Sequence, residues 1–220
     1  MRLVIFDVDG TLTRSTTVDT LCYARALAQE LAVEIDTNWL GYRHTTDAGI
    51  LGEVLERHGI AETPDLVEAI RRRFLRLLSE AITSDPECCR EVPGARTIVE
   101  LLRRTHDVGL AIATGAWADS AHLKLRRAGI DVERLPFASS DDSPSREEIL
   151  RIARGRTGVT GSVTYVGDAP WDVSAARSLG FRFIGIACDG DGSRLISAGA
   201  STVVTDFTDT DAFVARVLTV

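Results

Sequence analysis

From Val92-Pro93-Gly94 onward, short apolar runs alternate with segments whose apolar residues recur every three or four positions. Repeated alternation of this kind constrains the chain to a doubly wound α/β fold, a parallel sheet with helices on both faces. Helices are expected at 95–104, 119–128, 145–153, 172–179 and 209–218. Between them the pattern predicts strands at 109–113, 163–166, 181–187 and 202–204, and a short extended piece at 137–140. Ser145-Arg146-Glu147-Glu148 reads as a capping box opening the third of these helices. A further strand precedes the alternation: Leu3 to Phe6 are uninterruptedly apolar, as befits a strand buried on both faces. It ends abruptly in Asp7-Val8-Asp9-Gly10.

Between that strand and Val92 lie about eighty residues of helical pattern, too many for a simple crossover, so an inserted helical unit is expected. Thr63-Pro64-Asp65 supplies an N-cap, a first-turn proline and an early acid, and apolar residues from Leu66 to Ile82 follow at helical spacing. Two further helices are expected, at 18–35 and 47–58, the latter ended by Gly59. The boundaries read as a core of residues 1–13 and 91–220 and a helical insertion of residues 14–90.

Composition limits the partners. The 220 residues are 45% hydrophobic and 26% charged with a net charge of −7, so the chain carries no basic footprint for nucleic acid. No apolar run approaches the ~20 residues that span a bilayer, and no signal-peptide core precedes Asp7; a cytoplasmic location without membrane attachment is expected. The four cysteines, Cys22, Cys88, Cys89 and Cys188, lack CxxC spacing, which fits a reduced compartment.

Polar residues recur just beyond the strands: Asp7 and Asp9, then Thr114 and Gly115, then Arg146, then Asp168 and Asp172. In open α/β sheets this edge binds ligands, and the set suits displacement at phosphorus. Asp7 is the candidate nucleophile, because an aspartyl phosphate divides a difficult hydrolysis into two steps. Asp9 is placed to protonate the leaving oxygen and then deprotonate water. Asp168 is the third carboxylate for Mg²⁺, and Thr114 with the amides around Gly115 are donors for phosphoryl oxygens.

Asp7-Val8-Asp9-Gly10-Thr11, Thr114 and Gly167-Asp168-Ala169-Pro170-Trp171-Asp172 together resemble the haloacid dehalogenase-like phosphatases. The resemblance implies a Rossmann-like core, a helical cap inserted after the first motif, and Mg²⁺ held around Asp7, Asp9, Asp168 and Asp172, with the backbone carbonyl of Asp9 as its ligand. It implies a phosphatase acting on a small phosphorylated metabolite through an aspartyl phosphate. A phosphotransferase or sugar phosphomutase of the same family is the alternative, as is a non-catalytic phosphate-binding member. The chain departs from the family at the third motif, where Arg146 stands in place of the usual lysine. Lys124, the only lysine, is expected to lie too far along its helix from Thr114, roughly 15 Å, to substitute. Arg43 and His44 are candidates for contact with an anionic leaving group; alternatively Thr46 or Asp47 merely caps the following helix and the aromatics pack. Arg14 is a further substrate candidate, and Trp117 either lines the pocket beside Thr114 or fills the core.

Overall fold

The computed structural model describes residues 1–188, 190 and 192–219. Strand β1 (Arg2–Phe6) leads into α1 (Thr16–Leu31), α2 (Asp47–His58) and α3 (Pro64–Ser84), with single 3₁₀ turns at Trp39–Gly41 and Pro86–Cys89. The chain then alternates through α4 (Ala95–Arg104), β2 (Val108–Ala113), α5 (Ala118–Arg127), β3 (Phe137–Ala138), α6 (Arg146–Thr157), β4 (Val163–Gly167) and α7 (Pro170–Ser178). It finishes with β5 (Arg182–Ile186), α8 (Ser193–Ala198), β6 (Val203–Val204) and α9 (Thr210–Leu218).

The six strands form one parallel sheet in the order β3-β2-β1-β4-β5-β6. β1 sits between β2 and β4, where the winding reverses, so its C-terminal end opens into the crevice that such sheets use for ligands. Its residues alternate between faces. Val4 and Phe6 pack with α4, α5 and α9 through Ile98, Leu125 and Phe213, while Leu3 and Ile5 pack with α6 and α7 through Leu150 and Ala176. All four are fully buried, which is why β1 reads as an unbroken apolar run.

Helices α1, α2 and α3 bury a separate apolar cluster centred on Tyr23, Leu27, Leu51, Phe74 and Leu78. Thr63 accepts from the Leu66 N–H, and Pro64 opens α3 as the sequence suggests. Thr46 caps α2, accepting from the Gly49 N–H.

Three local expectations need correction. α1 begins at Thr16 and stops at Leu31, where Ala32 turns left-handed (φ 55°); beyond it β-branched residues and the turn formers Asp36 and Asn38 do not sustain a helix. α6 has a Ser145 cap, but only half of a capping box: Ser145 Oγ accepts from the Glu148 N–H while its own N–H donates to Ser143 Oγ. Glu148 is drawn away to Arg151. The short α8 was not expected, since six residues carry too little periodicity to register.

Candidate active site

The cleft at the end of β1 encloses about 770 Å³, solvent at its mouth included, and is lined by residues from both the sheet edge and the helical insertion. Asp7 follows β1 directly, and its N–H donates to Val166 O of β4, which holds the residue in strand register. Gly10 then turns with φ +76°; a Cβ there would stand 2.1 Å from Asp168 Oδ2, so both the backbone conformation and the approach of Asp168 require glycine. Asp172 lies in the first turn of α7, and its Oδ2 accepts from the Ala169 N–H. Its Oδ1 accepts from the buried Tyr165 hydroxyl at 2.8 Å.

Carboxylate oxygens of Asp7, Asp168 and Asp172 all lie within 4.8 Å of one another. Burial, then the Asp172 charge, push Asp7 up to about 8 against the pull of Arg146. Asp168 is raised well above the ordinary carboxylate range by burial, then by Asp172 and Asp7. Three crowded carboxylate oxygens, one from each of Asp7, Asp168 and Asp172, suit a hard divalent cation, which relieves their repulsion. Asp9 is not in this group: its Oδ1 accepts from Ser15 Oγ at 2.5 Å and its Oδ2 from Lys124 Nζ at 2.6 Å. The Asp9 side chain is therefore not a member of the carboxylate cluster proposed from sequence.

Arg146 reaches the cluster from the first position of α6. Its Nη1 lies 3.1 Å from Asp172 Oδ1 and 3.4 Å from Asp7 Oδ1, and its Nη2 donates to Thr45 O. Burial disfavours its charge, but Asp172, Tyr165 and Asp7 outweigh that and hold its proton more tightly than usual. A Cβ on Gly115 would meet Arg146 Nη2 at 2.4 Å, so this glycine makes room for the larger cation. The Arg146 Nε is buried without a hydrogen-bond partner. Thr114 is buried at the cleft, and its hydroxyl accepts from the Ala116 N–H, leaving its own hydrogen to donate.

The remaining candidates fall elsewhere. Arg43 is exposed and pairs with Glu53 and Glu56, which turns it away from the cleft; His44 is exposed and does not line it. Arg14 is not among the lining residues, and its N–H donates to Arg90 O. The Trp117 ring packs inward against Tyr23 and Phe74, where burial of its large apolar surface outweighs exposure in a polar cleft. The Trp117 backbone N–H donates to Asp47 Oδ2, so Asp47 braces the loop after β2 while Thr46 does the capping.

Sequence reasoning missed Asp19, Asp47 and Lys124. Asp19 and Asp47 line the cleft from α1 and α2. Lys124 is fully buried, with Nζ 2.5 Å from Asp19 Oδ1 as well as against Asp9. Lys124 does not line the cleft beside Thr114; its partners are Asp9 and Asp19. The isolation of one lysine among 25 basic residues was the available signal.

Residues 1–180 match the model of the haloacid dehalogenase-like hydrolases. The chain belongs to this family. A phosphoglycolate phosphatase from Pseudomonas putida is 27% identical, the match covering 93% of this chain and 76% of that protein. A hydrolase from Pseudomonas syringae superposes with a TM-score of 0.79 over the whole of both chains at 22% identity. A β-phosphoglucomutase from Clostridium difficile superposes with a TM-score of 0.72 at 17% identity, covering 98% of this chain and 96% of that one. Among haloacid dehalogenase-like hydrolases, this chain thus shares its fold with proteins named for different reactions.

Proposed function

We propose that this hydrolase is a Mg²⁺-dependent phosphomonoesterase acting on a small phosphorylated metabolite through a phosphorylated Asp7. The observation that carries the reading is the convergence of Asp7, Asp168 and Asp172 with Arg146 at one end of the sheet. Asp7, Asp168 and Asp172 would hold the Mg²⁺, and the Asp9 backbone carbonyl is assigned to it by the family resemblance. When bound, the ion offsets the negative charge of the carboxylates and phosphate. Asp7 attacks phosphorus, Arg146 and the Thr114 hydroxyl hold non-bridging oxygens, and Asp9 moves the proton. Residues 14–90 act as the cap that closes the leaving-group side, supported by the presence of Asp19, Asp47, Trp39 and Ile50 in the cleft wall. The thiols of Cys22, Cys88 and Cys89 support a reduced, cytoplasmic setting. No helix among the described residues is long and apolar enough to cross a membrane.

The test is hydrolysis of p-nitrophenyl phosphate and of a panel of phosphorylated metabolites. Turnover should require Mg²⁺, stop with EDTA, and vanish in Asp7→Asn. Activity surviving in Asp7→Asn would overturn the mechanism; isomerised product without phosphate release would instead identify a phosphomutase.

A further inference from the structure

The basic residues of this chain are arginine at every position but one, and that exception is buried beside the acid–base candidate. Lys124 is 0% exposed. Its ammonium bridges Asp9 Oδ2 at 2.6 Å and Asp19 Oδ1 at 2.5 Å. Asp19 belongs to α1 of the helical insertion and Lys124 to α5 of the core. The other Asp9 oxygen accepts from Ser15 Oγ, which is itself 2.6 Å from Thr13 Oγ1. Both oxygens of Asp9 are therefore fixed, one by a hydroxyl chain and one by a buried cation. A lysine head is a compact charge with three donors, able to sit between two carboxylates where a planar guanidinium needs more room. Burial penalises its charge, yet Asp19, Asp9 and Asp47 more than compensate and keep it protonated.

We propose that Lys124 is a positioning residue, which holds the Asp9 carboxylate in place for proton transfer and is itself held by Asp19 of the helical insertion. The inference rests on the phosphomonoesterase reading. In the first step the bond between Asp7 and phosphorus forms as the bond to the leaving oxygen breaks, and the Asp9 proton goes to that oxygen. In the second, water oxygen attacks phosphorus, the Asp7 bond breaks, and Asp9 takes back a proton from the water. Ester and water become alcohol and phosphate. Lys124 touches neither ester nor water in this scheme; it acts through Asp9.

This role has a readout that a purely structural lysine would lack. A nitrophenolate leaves without a proton, whereas an alkoxide needs one, so misplacing Asp9 slows the first step for alkyl esters selectively. The parameter kcat/KM reports that step. In Lys124→Met, kcat/KM for an alkyl phosphate turned over by the wild type should fall by about 10²-fold, with that for p-nitrophenyl phosphate reduced much less. Lys124→Met/Asp19→Asn removes both charges together and should show the same selectivity, which covers the event that the single variant does not fold. Circular dichroism and thermal melting establish folding in each case. Equal losses on the two esters, or no loss on either, would overturn the proposal. A wild type inactive on both esters with Mg²⁺ would instead overturn the phosphomonoesterase reading beneath it.

Discussion

Arg146 Nη1 sits between Asp7 and Asp172, with its Nε buried and unpaired. Arg146→Lys keeps a positive charge but loses the planar fork, so phosphate contacts should weaken while some turnover remains. Arg146→Met leaves buried carboxylates uncompensated and should cost about 3–5 kcal/mol in chemical denaturation of the metal-free protein. Asp7 gives a prediction of opposite electrostatic sense. Its pKa is raised to about 8 in the fold from an ordinary 3.8, so between those values the native state holds a proton that the unfolded chain has released. Its contribution to stability is full below the lower value and is lost as pH rises through the upper one. The melting temperature of the metal-free protein should therefore fall from pH 5 to pH 8, as a series of thermal melts would show. Mg²⁺ affinity should rise over the same range because binding displaces that proton.

At the scale of elements, Thr46 joins two functions. Its hydroxyl caps α2 and also donates to Pro144 O, just before α6. Thr46→Ala should destabilise by about 0.5–2 kcal/mol from the cap, measurable as a lower urea midpoint, and should raise KM because α2 is no longer tied to the segment leading to Arg146. Much of this layer was legible in the sequence. β1, α2, α3 and the alternation from α4 onward follow from unbroken apolar runs, helical periodicity, the Thr46 and Thr63 caps, and Gly59, which is left-handed at the end of α2. The end of α1 was not, because Val33 and Ile35 continue the apolar pattern after the backbone has turned away. In the site, Asp7, Asp168, Asp172 and Arg146 could be singled out because each follows a strand. Asp19 could not, since it lies within a helix and its meeting with Lys124 depends on how α1 seats against α5. Trp117 has the opposite history: its place next to Thr114 suggested the cleft, but its ring is drawn into the aromatic packing of Tyr23 and Phe74.

Across the whole molecule, the helical insertion and the sheet are joined at several points around the cleft. Ala48 N–H donates to Ser140 Oγ, Asp47 N–H donates to Gly115 O, and Arg71 pairs with Asp141. Mg²⁺ present at 100 times its dissociation constant should stabilise the fold by about 2.7 kcal/mol, lost on adding EDTA. Phe74→Ala, in the middle of the insertion's apolar cluster, should cost about 3–5 kcal/mol; if the insertion melts separately, calorimetry will resolve two transitions instead of one. The fully buried Lys124 also makes the folded chain refractory to a protease that cuts only after lysine. Opening of the region around α5 exposes one scissile bond and yields two pieces, residues 1–124 and 125–220. The rate at which those pieces accumulate is a clock for the transient opening of the proposed catalytic centre.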